Sequence, residues 1–303
     1  MSTTIDLDEP AVGPTFTPIS TGRKIRNGIA AVLVTLAFLV AVVPLVWVLW
    51  TVIAEGLSVV LRPGWWTQSL NGLLGRQQGG GAYHAIYGTL MQSLIAAAIA
   101  TPIGILVAIY LVEYGAKSRL ARATTFMVDI LTGIPSIVAA LFVYAVWIAI
   151  LGFDRSAFAV SLALVLLMVP VVVRSTEEML RIVPDDLREA AYALGVPKWK
   201  TIVRIVIPTA LSGMLTGISL ALARIMGETA PMLILVAYAP FINYNVFAGN
   251  MASLPLLMTV ERANPTEAGS DRIWGAAITL ILIITVFQLI AALLSRVTAP
   301  KTK

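Results

Sequence analysis

Arg224 and Glu228 are the residues whose chemistry fits least with their surroundings. They stand in Ala223-Arg224-Ile225-Met226-Gly227-Glu228-Thr229-Ala230-Pro231, well inside a long apolar run. An arginine at the centre of a membrane-spanning helix costs about 2.5–3.5 kcal/mol even on the lenient insertion scale, so a chain that keeps one has a use for it. Two uses fit. At i and i+4 the side chains share a helix face and can neutralise each other, pinning the span to its neighbours. Alternatively, the guanidinium, with its donors fixed in one plane, lines a path for an oxyanion, and the carboxylate serves as gate or counter-charge. Gly227, Thr229 and Pro231 favour the second use, because small residues and a proline loosen a helix where it borders a cavity.

Other polar residues in apolar surroundings have simpler explanations. Arg174 ends an apolar run, where it can snorkel to headgroups or pair with Glu177 or Glu178. Asp129 is expected to cap a helix or pair locally, and Gln92 and Gln288 read as hydrogen bonds between helices. Cysteine is absent, which excludes disulfides and thiolate metal sites. The single histidine, His84, falls in a stretch that reads as a solvated loop, which argues against a metal or proton-relay mechanism. No G-x-x-x-x-G-K-[ST] occurs, so the chain has no P-loop of its own; neither catalysis nor a cofactor is expected in it.

The elements that must position these residues are helical spans. Of the 303 residues, 58% are hydrophobic and 12% charged, with a mean hydropathy of +0.89. Soluble domains carry about 25% charged residues. The expected fold class is therefore all-α, a polytopic membrane protein with six transmembrane helices. The spans read as Gly28 to Ile53, Ile86 to Val112, Thr125 to Leu151 (interrupted by Gly133 and Pro135), Phe158 to Val173, Thr209 to Ala237 and Ile273 to Leu294. The first is too long for a signal-peptide core and no A-x-A site ends it, so it reads as a retained span. Residues 1–22, polar and rich in Pro and Thr, read as a disordered tail, 23–296 as the transmembrane domain and 297–303 as a second tail. Trp65, Trp66 and Trp274 read as interfacial anchors, and Tyr238 to Arg272 as a long loop.

Lysine and arginine set the orientation. With the N-terminus in the cytoplasm, the outer loops hold only Arg62, Arg76, Arg155, Arg262 and Arg272. Every other basic residue except Arg224 falls on the cytoplasmic side, as the positive-inside rule requires, and the C-terminus is cytoplasmic too. The net charge of +5 is thus a topology signal and implies no nucleic acid.

That orientation leaves one patterned polar stretch in the cytoplasm, Pro184 to Pro208. Leu187, Ala190, Ala191 and Leu194 fall at i, i+3, i+4 and i+7, the stripe of a short amphipathic helix lying at the membrane surface. Asp185 or Asp186 can cap it, Gly195 stands where a left-handed stop is wanted, and Pro197 suits the first turn of a second helix. Such a helix can simply rest on headgroups. The string itself points further. Glu189-Ala190-Ala191, three residues, Gly195, nine residues, Ile205, one residue, Ile207-Pro208 resembles the EAA loop of ABC-importer permeases, with Ile207 in place of the usual leucine. Together with Pro170 to Glu177, Gly133 to Val138 and Ala223 to Pro231, it resembles the PstA family of phosphate importer permeases from about Tyr87 to Arg296.

The resemblance implies a type I ABC importer permease fold in the plasma membrane. It implies a PstC-like permease beside this chain, two PstB-like ATPases below that carry the ATP and Mg, and a PstS-like phosphate-binding protein above. It places Glu189, Ala190, Ala191 and Gly195 in the coupling contact with the ATPase. It associates Arg174 and Arg224 with phosphate passage, and Glu228 more weakly. Another oxyanion on the same machine (molybdate, sulfate or phosphonate) keeps the coupling motif. An ion-coupled secondary transporter would give that motif no purpose and often shows internal repeats, of which there are none. An inert scaffold would not keep charges within the membrane.

Overall fold

The computed structural model describes residues 20–115 and 118–298; most of the expected N-terminal tail, Lys117 and residues 299–303 lie outside them. The regular secondary structure of the described residues is all helical, without strands. Contacts divide the chain after Thr51. The first unit is the greater part of α1 (Thr21–Val60), apolar on every side and carrying Pro44. Helix already begins at Thr21, so the segment read as tail to Gly22 gives way to helix two residues early.

In the second unit, α2 (Pro63–Thr67) precedes α3 (Tyr83–Ile109), which runs on as a π-helical turn at Tyr110–Tyr114. Next come α4 (Arg119–Gly133) and α5 (Ser136–Val143, continued as a π turn to Ile150), α6 (Ala157–Ile182), α7 (Asp185–Ala193) and α8 (Lys198–Thr201). A π turn at Ile202–Val206 joins α8 to α9 (Ile207–Met226), followed by α10 (Ala230–Leu235), α11 (Leu254–Glu261) and α12 (Glu267–Thr298). Five of these helical runs are long and apolar enough to cross a membrane, and α4 with α5 makes a sixth span bent by 107°. The bend falls at Gly133-Ile134-Pro135. Ile134 is extended (φ −72°, ψ 127°), as a residue before proline prefers, and Pro135 starts α5.

α6 is the centre: 61% of its most apolar window is buried, against 11% for α12. Ser156 caps it by accepting from the Ala159 amide (3.3 Å). α3 lies along it through Ala96, Ala100, Gly104 and Ala108, four buried small residues at i, i+4 spacing that let backbones approach. A Cβ on Gly104 would come within 2.6 Å of Val172 Cγ1, so this contact needs glycine. α9 packs on α6 as well as touching α3, and α12 packs on α9.

At the end of the bundle that holds the start of α3, several expectations are revised. Trp65 is no interfacial anchor: it is 3% exposed and donates to Thr279 Oγ1 at 2.8 Å, whereas Trp66 remains exposed. His84 is buried at the first turn of α3, its Nε2 3.3 Å from the Tyr238 hydroxyl, because the apolar stretch begins earlier than composition suggests. The long loop from Tyr238 contains α11, capped by Ser253, and α12 starts at Glu267 rather than Ile273. A buried pair, Arg272 and Glu261 (3.2 Å), ties this region together, with Arg272 also donating to the Gln77 carbonyl (2.8 Å).

Candidate functional site

Two places gather the residues singled out above. The first is the stretch from α7 to α8. Pro184 occupies the cap position of α7 and makes no side-chain cap; Asp185 and Asp186 fall inside the first turn, where they still suit the helix dipole. The helix ends in a Schellman turn. The Val196 amide donates to the Ala191 carbonyl (3.0 Å) and the Gly195 amide to the Tyr192 carbonyl (2.9 Å). Gly195 has φ +74°, and a Cβ there would meet nothing within 4 Å, so the backbone conformation alone calls for glycine. Pro197 then caps α8, one position before the expected place.

The apolar stripe of α7 lies mostly on the open side of the helix. Of Leu187, Ala190, Ala191 and Leu194 only Ala191 is buried, and Leu194 is 83% exposed. The side turned to the bundle is anchored by Arg188. Its Nε and Nη2 donate to Glu113 Oε1 (3.1 and 3.0 Å), Nη1 to Asp185 Oδ1 (3.0 Å) and the Val183 carbonyl (2.6 Å), and Nη2 to the Leu180 carbonyl (2.9 Å). A guanidinium so fully bonded can be withdrawn from water, and its apolar neighbours are then free to face outward. The result is an open surface of Leu187, Tyr192, Leu194, Trp199 and Val203, with Glu189 and Ala190 also exposed. Arg188 and Glu113 escaped the sequence reading. They are 75 positions apart, and the only hint is an acid closing an apolar run beside a helix with an interior arginine.

The second place is the charged layer of α6 and α9. α9 stops at Met226. The Gly227 amide reaches the Arg224 carbonyl and the Glu228 amide the Ile225 carbonyl (both 3.2 Å), the tightened i→i−3 bonds of a helix end, before α10 resumes at Ala230. The break lies where Gly227, Thr229 and Pro231 led one to look. It also removes the geometry for an i, i+4 pair: Arg224 is exposed on the last turn, Glu228 is half-buried beyond the helix, and no ion pair among the described residues joins them.

Arg174 is placed differently. It donates to Glu177 Oε2 (2.8 Å) and pairs with Asp129 of α4, while Arg181 holds the other oxygen of Glu177 (2.7 Å). The pairing with Glu177 was foreseen; the bridge from Asp129 across to α6 was not. A cavity of about 290 Å³ beside this network is lined by Ser118, Arg122, Thr125, Glu177 and Arg181, among others. No hydrogen bond or ion pair among the described residues joins Arg224 to the Arg174 network. Gln288 and Ser219 bond across α12 and α9 as expected (3.1 and 3.2 Å), whereas the Gln92 side chain is buried and finds no partner.

The helical arrangement of this chain is shared with solved importers. The chain aligns with a bacterial ABC transporter involved in the import of alginate at TM-score 0.58 and 17% identity, covering 90% of this chain and 98% of that one. Its TM-score with the MetNI methionine ABC transporter is 0.57, again at 17% identity, over 72% of this chain and 94% of the other. These likenesses establish the fold. The family model of binding-protein-dependent transport system inner membrane components matches residues 100–303. Phosphate transport system permease protein PstA 1 of Mycobacterium tuberculosis (strain CDC 1551 / Oshkosh) is 58% identical over 294 residues, 97% of this chain and 96% of that protein. The chain belongs to the PstA family. Membership extends well beyond close relatives: PstA of Mycobacterium leprae is 57% identical over 94% of both chains, and PstA of Yersinia pestis 40% identical over 93% of this chain and 92% of that one. PstA membership makes the chain a transport subunit of the inner membrane, not itself a catalyst.

Proposed function

We propose that this chain is a permease subunit that passes inorganic phosphate across the plasma membrane, driven by ATP hydrolysed on a partner. The observation that carries the mechanism is the arginine at the break of α9, exposed and without a carboxylate partner among the described residues. A cation left uncompensated in a span has to meet a counter-charge or water from outside the chain, and a tetrahedral oxyanion suits its planar donors. Arg224 serves as the anion contact of the pathway, and Glu228, released from the helix, as the nearby counter-charge. Arg174 stands lower on the path and meets the anion when the Asp129 bridge opens.

The charge asymmetry of the loops supports placing both termini and α7 in the cytoplasm. There the open surface around Leu194 and Trp199 is the coupling surface, with Glu189, Ala190 and Ala191 beside it and Gly195 setting the turn. Two PstB-like ATPases bind ATP and Mg and dock from that side. A PstC-like permease completes the pore, and a PstS-like protein delivers phosphate from the opposite face. The test is ATP-dependent uptake of labelled phosphate into vesicles holding the co-purified complex, with sulfate and molybdate as competitors. Uptake that phosphate alone competes away is the expected result. Equal competition by molybdate or sulfate would replace phosphate with a broader oxyanion class.

A further inference from the structure

The Gly195 turn has a gripping point on each side, and both close on the same residue. Glu113 lies in the π-helical turn Tyr110–Tyr114 that ends the α3 span, and its side chain is 5% exposed. Arg188, seven residues before Gly195 and 12% exposed, holds the Glu113 carboxylate through two donors. Lys198, three residues after Gly195, donates to the Glu113 carbonyl, and its ammonium lies 4.9 Å from the centre of the Tyr114 ring. α7 and α8 are thus fastened to one turn of α3 by charge, while α8 runs covalently into α9.

We infer that Glu113 is the positioning residue through which the α7–α8 stretch moves the α3 span. Breaking a buried pair on one side strands the other charge, so a displaced stretch carries α3 with it more cheaply than it slides past. α3 then moves against α6 along the face of small residues, where stiff backbone contact leaves little slack. α9 receives the same displacement through the chain itself. One input therefore reaches α6 and α9 through the chain itself and α3 through the turn that holds Glu113. Local π turns occur on both routes, at Tyr110–Tyr114 and Ile202–Val206, and such turns are frequent at functional positions.

This inference rests on the coupling role proposed above for the Gly195 turn, so the experiment tests the two separately. The complete importer, reconstituted in proteoliposomes with its binding protein, is assayed for ATP hydrolysis and phosphate uptake together. Glu113→Ala is expected to leave the ATPase bound and hydrolysing while phosphate moved per ATP falls about tenfold or more, the size of a typical coupling energy. The chain contains no cysteine, so Glu113→Cys with Arg188→Cys places two unique thiols in it. Bridging them with a short bifunctional thiol reagent should restore the ratio, with the similarly treated parent complex as control. An assembled Glu113→Ala complex with a normal ratio overturns the inference, as does a bridged pair that stays uncoupled. Gly195→Pro and Glu189→Lys test the underlying role: if both keep a normal ratio, the turn is not the coupling element. If they uncouple and Glu113→Ala does not, only the role of Glu113 falls.

Discussion

Arg224 and Arg174 stand in the same chemical category and in opposite situations. Arg174 is enclosed by Asp129 and Glu177, with Arg181 balancing the second oxygen of Glu177. Arg224 sits on the final turn of α9 with its nearest acidic residue in sequence carried off the helix by the Gly227 break. The first charge is neutralised by its own fold and holds α4 against α6. The second meets no carboxylate among the described residues and stays open to an anion. A charge in a span identifies a costly position; whether its own chain offsets that cost separates an arginine that must first be released, as Arg174 from Asp129, from one already open to an anion.

The largest effect should come from Arg224→Gln, which keeps hydrogen-bonding capacity and removes the charge. Uptake is expected to drop to background in vesicles whose complex still assembles. Arg224→Lys keeps the charge without the planar fork and should retain part of the activity. Because the structure shows no pair to strand, Arg224→Gln with Glu228→Gln should stay as inactive as the single change. Recovery of uptake in that double variant would break the contrast by making Arg224 a fastening with no anion contact.

A middle effect is expected at the enclosed arginine. Asp129 is 58% exposed, and Glu177 keeps Arg181 when Arg174 is lost, so Arg174→Gln should cost about 1–2 kcal/mol, between the exposed and buried limits. Thermal unfolding of the purified complex reads this directly. Adding Asp129→Asn should return most of the lost stability without returning uptake, since the anion contact remains absent. A double variant that regains both would make Arg174 purely a fastening.

The sequence made the contrast half visible. Six spans, the bend at Gly133-Ile134-Pro135, the break after Arg224 and the left-handed Gly195 all followed from local rules: hydropathy, proline and glycine conformation, and the spacing of a long motif. Non-local events were out of reach. Asp129 meets Arg174 across 45 positions and Glu113 meets Arg188 across 75, and nothing in periodicity links them. The stripe on α7 illustrates the limit. Apolar spacing marked the face that stays open, but not that Arg188, bonded to Glu113, holds the helix to the bundle. His84 and Trp65 failed for a related reason: composition cannot see that Tyr238, and Thr279 of α12, fold back to meet them.

The smallest expected effect separates polarity from charge on the same helix. Ser219 lies five residues before Arg224 on α9 and exchanges hydrogen bonds with Gln288 of α12: Ser219 Oγ donates to Gln288 Oε1, and Gln288 Nε2 donates to the Ser219 carbonyl. Both partners are neutral, and each is satisfied by the other within the chain. Interhelical hydrogen bonds of this kind contribute about 0.6 kcal/mol on average, because a span that loses one finds alternatives. A double-mutant cycle of Ser219→Ala and Gln288→Leu, read by thermal unfolding, should therefore give a coupling of about 0.6 kcal/mol. Phosphate uptake by all three variants should match the parent. If Ser219→Ala lowered uptake as Arg224→Gln does, any polar disturbance of α9 would suffice and the special standing of Arg224 would be lost. Parent-level uptake would leave the uncompensated charge, rather than polarity within the span, as what transport requires.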